Sequence, residues 1–257
     1  MSSLPLAAKS LVYGYRGRGI NQPCDFVLET GGLCAMLGGN GVGKRTLLRT
    51  ILGLLPPVQG QVWHGGVSLQ AMTEVDRSRL LSYVPQAQAF GFGFDCLDVV
   101  LMASNARRGP LSRPQPQDLS DARDCLAQVG AEDLAGQPFD ELSGGQRQLV
   151  LIARALHQQA RFLLLDEPCS HLDFGNQHRV LRLLRDLADQ GHGILMTTHD
   201  PNHAEQVADS VLMLKPDGSV TLGPIGQQLT VEQLSGLYGP DAASSLTKSR
   251  WRISPAA

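Results

Sequence analysis

The sequence predicts an α/β fold with a mainly parallel sheet, and three observations point there. Residues 33–37 and 162–165 are short, unbroken apolar runs of the kind that a strand buried on both faces requires. Apolar residues behind them recur at helical spacing over stretches long enough to serve as crossovers. Strand and helix then alternate along the chain, the order that yields a parallel sheet.

The elements follow in sequence order. The run 33–37 enters a glycine-rich turn, Gly38 to Gly43. Behind it Leu47, Leu48, Ile51, Leu52 and Leu55 keep helical spacing until Pro56-Pro57 stops the helix. Residues 97–102 and 119–129 read as helices, with a loop rich in Arg, Pro and Gly over 107–117 between them. The region from about 88 to 156 therefore reads as a helical insertion. Residues 162–165 form a buried strand. Over 176–190, Val180, Leu181, Leu184, Leu187 and Ala188 share one helical face, and Gly191 ends it. Residues 194–198 form another strand. Residues 211–214 and 219–222, joined by Pro216-Asp217-Gly218, read as a hairpin. Residues 242–257 are polar and weakly patterned, a loose tail. One domain, 1–241, results, with its core at about 1–87 and 157–241 and a helical subdomain at about 88–156.

Composition narrows the function classes. The chain has 257 residues, 28 of them glycine, about 11 % against a usual share of about 7 %. With 15 prolines added, the total stays below the roughly 25–30 % of a low-complexity chain, so the surplus belongs at turns and close backbone approaches. A net charge of −2 gives no overall basic footprint for nucleic acid. Five scattered cysteines without a CxxC pair argue against a disulfide framework and fit a reducing compartment. The N-terminus has no apolar core behind a basic start, and no run approaches the roughly 18 apolar residues of a membrane span.

Three stretches carry chemistry. Gly38-Gly39-Asn40-Gly41-Val42-Gly43-Lys44 lies between a strand and a helix, where successive N–H groups and the helix N-terminus can wrap a phosphate chain and Lys44 supplies a cation. The full pattern places Ser or Thr after the lysine, as a hydroxyl ligand for Mg²⁺. Here Arg45 stands there, and Thr46 comes one residue later. A guanidinium has no lone pair for a metal. Either Mg²⁺ binds with one protein ligand fewer or the site binds nucleotide poorly, and Arg45 could partly replace the metal's charge. The apolar strand 162–165 delivers Asp166 and Glu167 at its end. Two adjacent carboxylates suggest a cation beside them, with Asp166 its ligand and Glu167 a general base. Ser143, Gly144, Gly145 and Gln146 open a helical stretch with a natural N-cap. On their own, they mark no more than a capped helix.

Together these blocks resemble the nucleotide-binding subunit of an ABC transporter. The set comprises Walker A (38–46), a Gln loop in Tyr83-Val84-Pro85-Gln86, the LSGGQ signature (142–146) and Walker B (163–167). A D-loop at Ser170-His171-Leu172-Asp173 and a switch histidine, His199, follow in the family's order. The resemblance covers roughly residues 8 to 240. It implies a P-loop NTPase core with an antiparallel β subdomain and a helical subdomain, binding ATP and Mg²⁺. It also implies two copies paired head to tail with ATP between them. Gly38, Asn40, Gly41, Gly43, Lys44, Arg45 and Thr46 of one copy would hold the nucleotide, with Tyr15 stacked on adenine. Ser143, Gly144, Gly145, Gln146 and Asp173 of the other copy would close over it. Asp166 and Gln86 would hold the metal, and Glu167, His199, Gln86 and Lys44 would serve hydrolysis. The helical insertion would dock onto two transmembrane permease subunits, indirectly serving a periplasmic or extracellular substrate-binding protein. The chain would sit peripherally on the cytoplasmic face of the inner membrane, with no nucleic acid partner.

Softer signals, Leu172-Asp173-Phe174-Gly175-Asn176-Gln177 and residues 198–203 and 223–239, are similar to the ATPases of importers for siderophores, haem, cobalamin and molybdate. Two alternatives stay open. Arg45 would suit a catalytically weakened or regulatory subunit. A soluble ABC ATPase acting on ribosomes or DNA usually carries two such domains or long insertions, which this chain lacks. Arg107, Arg108 and Arg113 would form a solvated face or meet lipid headgroups. The histidines at 64, 157, 171, 178, 192 and 203 have no metal-ligand spacing.

Overall fold

The computed structural model describes residues 4–86, 93–108 and 115–239. The chain opens with strands β1 (Leu6–Val12), β2 (Gly14–Tyr15), β3 (Arg18–Gly19), β4 (Cys24–Leu28) and β5 (Leu33–Leu37), then helix α1 (Lys44–Ile51). Strands β6 (Gln59–His64) and β7 (Val67–Ser68), helix α2 (Glu74–Leu80) and strand β8 (Leu81–Val84) follow. Helices α3 (Cys96–Leu101), α4 (Ser104–Arg108), α5 (Pro116–Gln128) and α6 (Gly144–His157) come next. The remainder is β9 (Phe162–Leu165), α7 (Phe174–Asp189), β10 (Gly193–Thr198), α8 (Pro201–Val207), β11 (Ser210–Leu214), β12 (Val220–Pro224), α9 (Ile225–Gln228) and α10 (Val231–Tyr238).

One sheet has the order β12-β11-β5-β10-β9-β8, parallel throughout except for the β11–β12 hairpin. A second, antiparallel sheet has the order β4-β1-β6-β7. The unbroken apolar strands are explained by burial on both faces. Leu33, Ala35 and Leu37 pack into the cluster that holds α3, α5, α6 and α7, while Cys34 and Met36 face the cluster containing α1 and the second sheet. Leu163, Leu165 and Leu164 of β9 split the same way, as do Ile194, Met196 and Leu195 of β10.

Parallel register aligns the carboxyl ends of the strands. Leu37 pairs with Thr198, Leu165 with Met196 and Val84 with Leu165. The loops that follow β5, β8, β9 and β10 therefore emerge along one edge of the sheet, where open α/β folds place their ligand sites.

Several boundaries differ from the sequence reading. Helix α1 ends at Ile51 rather than at the prolines, because Gly53 takes a left-handed φ of 71° and turns the chain early. Residues 107–108 and 116–117, read as loop, are helical, since α4 runs over Ser104–Arg108, and Pro116 suits the first turn of α5. Helix α7 starts at Phe174, two residues early, because Asp173 caps it by accepting from the Asn176 N–H. Arg113 and the tail 242–257 lie outside the described residues.

Candidate functional site

The loop after β5 forms the floor of the site. Gly41 and Gly43 take φ of 78° and 106°, which side-chain-bearing residues rarely adopt. A Cβ added at Gly39 or Gly41 would meet nothing within 4 Å, so the loop opens onto a hollow lined by backbone. Gly38 instead faces inward, against Val42 and the Leu214 carbonyl. Lys44 is buried along its stem and donates from Nζ to the Gly38 and Gly39 carbonyls at 2.7 and 3.1 Å. Burial lowers its pKa, against the pull of Glu167 and Asp166. These two bonds hold it across the loop mouth. A triphosphate fits this loop: backbone donors, the N-terminus of α1 and one ammonium converge on unfilled space.

Lys44, Arg45, Thr46, Gln86, Asp166 and Glu167 line one cavity of about 280 Å³ together with the loop glycines and Asn40. A larger cavity, about 720 Å³, shares Gly39, Asn40, Gln86 and Glu167 with it and extends to His199 and His171. Glu167 takes a left-handed φ of 49°, uncommon for a residue with a side chain. Its N–H donates to Thr197 Oγ1 at 2.8 Å. Its Oε2 accepts from Gln86 Nε2 at 3.2 Å and lies 3.5 Å from His199 Nδ1.

Asp166 is almost fully buried. Its Oδ1 accepts from Thr197 Oγ1 at 3.0 Å, and its Oδ2 from Arg45 Nε at 2.5 Å and the Tyr83 hydroxyl at 3.3 Å. Burial and this carboxylate push the Tyr83 pKa up to about 12. Arg45 Nη2 donates to Gln86 Oε1 at 2.7 Å. Magnesium does not fit this arrangement. Both residues expected to hold it already accept from one guanidinium, and the loop hydroxyl expected beside them is replaced by that same arginine. Among the described residues no group of three or more His, Cys, Asp or Glu could hold a metal ion.

Tyr15 is half-exposed beside α1, its hydroxyl 3.4 Å from Thr46 Oγ1, and this contact lowers its pKa. Ser143, Gly144, Gly145 and Gln146 are not brought to the phosphate loop of their own chain. They open α6 with a reciprocal cap: the Gln146 N–H donates to Ser143 Oγ at 3.3 Å and the Ser143 N–H to Gln146 Oε1 at 2.9 Å. Asp173 lies with them, since Asn176, bonded to its carboxylate, would touch a Cβ placed on Gly145. Thr197 and Tyr83 were missed as site residues. Their one signal was position, beside His199 and Gln86 at strand ends.

A family profile described as ABC transporter matches residues 22–170. The chain is 39 % identical over 233 residues to an uncharacterized ABC transporter ATP-binding protein of Haemophilus influenzae, covering 91 % of this chain and 89 % of that one. It is 37 % identical over 235 residues to the molybdate import ATP-binding protein MolC of the same organism, covering 91 % and 87 %. A solved structure of a metal-chelate type ABC transporter in an inward-facing conformation matches with a TM-score of 0.82 and 35 % identity, covering 91 % of this chain and 89 % of that one.

Proposed function

The chain belongs to the ABC transporter family of ATP-binding, ATP-hydrolysing domains, and on that premise we propose that it powers a multi-subunit importer for a metal chelate or an oxyanion. Relatives named for molybdate import and for metal-chelate transport support the cargo class. The observation that carries hydrolysis is one cavity lined by both Lys44 and Glu167. In this reading the loop N–H groups and Lys44 bind the β- and γ-phosphates. Water attacks the γ-phosphorus, the bond to the β–γ bridging oxygen breaks, and Glu167 accepts the water's proton. Gln86 and His199, which both approach Oε2 of Glu167, orient the carboxylate and the water. Tyr15 stacks on the adenine.

Two copies pair head to tail. The exposed Ser143 and Gly144 present the α6 N-terminus away from their own loop, which suits closure over the nucleotide of a second copy. The helical segment between β8 and β9 docks on permease subunits. Among the described residues no helix is long and apolar enough to cross a membrane.

A second reading, a subunit that binds ATP but turns it over slowly, is favoured by the Arg45 contacts with Asp166 and Gln86. Light scattering on the Glu167→Gln variant tests the pairing. ATP should double its mass and hold it doubled. A mass that stays at one chain with ATP bound would overturn the head-to-tail reading.

A further inference from the structure

The cation position of the site is already filled by the chain. Arg45 Nε is 2.5 Å from Asp166 Oδ2, and Nη2 is 2.7 Å from Gln86 Oε1. One planar fork thus spans the two oxygens on which a divalent metal would have to sit. Neither partner is idle without it. Thr197 and Tyr83 supply the other donors to Asp166, and Gln86 Nε2 is turned toward Glu167 Oε2 and Ser170 Oγ at 3.2 and 3.5 Å. The Gln86 amide is therefore oriented with its oxygen toward Arg45. The Arg45 side chain remains about half-exposed, at 53 %, and lines the cavity that also holds Lys44.

The charge balance points the same way. A serine at position 45 would leave Lys44 alone against Asp166 and Glu167, a net negative site for a triphosphate to enter. With Arg45 the two fixed cations balance the two carboxylates. A guanidinium does not lose its proton, and it donates well to phosphate oxygens. A divalent ion would instead meet a like charge already seated on its ligands.

We propose that Arg45 is the resident cation of this site, so that the chain binds ATP without a divalent metal. This rests on the reading of the loop as an ATP site. The test is a titration of the full chain with a fluorescent ATP analogue, in Mg²⁺ and in EDTA, for the wild type and Arg45→Ser. The wild-type Kd should agree within about twofold between the two conditions. Arg45→Ser restores the hydroxyl ligand and frees both acceptors, so it should bind at least about tenfold more weakly in EDTA than in Mg²⁺. Mn²⁺ paramagnetic resonance in the presence of ATP gives a second readout: the variant should immobilise Mn²⁺ and the wild type should not. Wild-type binding that collapses in EDTA overturns the proposal while leaving the ATP site standing, whatever the variant does. No wild-type binding in either condition overturns the ATP reading, and the proposal with it.

Discussion

Replacing Thr197 with valine should cost far more than one methyl-for-hydroxyl exchange suggests. Thr197 is fully buried, and its hydroxyl does two jobs: it accepts the Glu167 N–H at 2.8 Å and donates to Asp166 Oδ1 at 3.0 Å. Valine fills the same volume, so no cavity adds to the cost. It leaves one backbone donor unpaired, worth about 1–3 kcal/mol, and removes a bond to a charged group, worth about 1.5–3 kcal/mol. Together the loss is about 2.5–6 kcal/mol, or a fall in Tm of about 5–24 °C for a chain of this size. Thr50→Val is the control. Thr50 is equally buried, but its hydroxyl only donates, at 3.0 Å, to the Thr46 carbonyl one helical turn back. Its loss should stay within about 1.5 kcal/mol. Urea denaturation of the two variants separates them. If Thr197→Val shifts the midpoint no more than Thr50→Val, the argument that Thr197 ties both carboxylate-bearing residues to β10 is refuted.

Other consequences can be checked by similar means. Lys44→Met should weaken binding of a fluorescent ATP analogue at least about tenfold, since charge-assisted bonds of about 1.5–3 kcal/mol are lost. Gly60→Ala should destabilise by about 2–4 kcal/mol in a urea melt. Gly60 has a φ of 72°, and the added Cβ would lie 2.2 Å from the Ser10 carbonyl oxygen where β1 and β6 shift register. Burial holds the pKa of His64 and His192 below the ordinary 6.5. The unfolded chain therefore takes up protons first as pH falls. Stability from these groups is complete above about 6.5 and is lost below it until the folded values are passed. Tm should drop as pH falls below about 6.5, and His192→Gln should flatten that drop.

Much of the core and of the loop geometry was legible because each carries a strong local pattern. Strands buried on both faces cannot alternate, and residues 33–37 and 162–165 keep the bounds their unbroken apolar character sets. The glycine loop is legible because it needs left-handed backbone at Gly41 and Gly43. Helix ends were less legible: the prolines at 56 and 57 are louder than Gly53, yet it is Gly53 that turns the chain. The Thr197 and Tyr83 contacts with Asp166 are long-range pairings that periodicity cannot supply. For Arg45, the sequence registered a broken motif and a charge that could partly replace the metal's, but not its partners. Its seat between Asp166 and Gln86 depends on the register of β5, β9 and β8, which folding alone provides.

The decisive measurement is ATP turnover by the full chain, compared with the same chain carrying Glu167→Gln. If Glu167 is the general base, the wild type turns ATP over and the variant loses about a hundredfold or more, the scale of a removed general base. Turnover in the variant at the wild-type rate would contradict it.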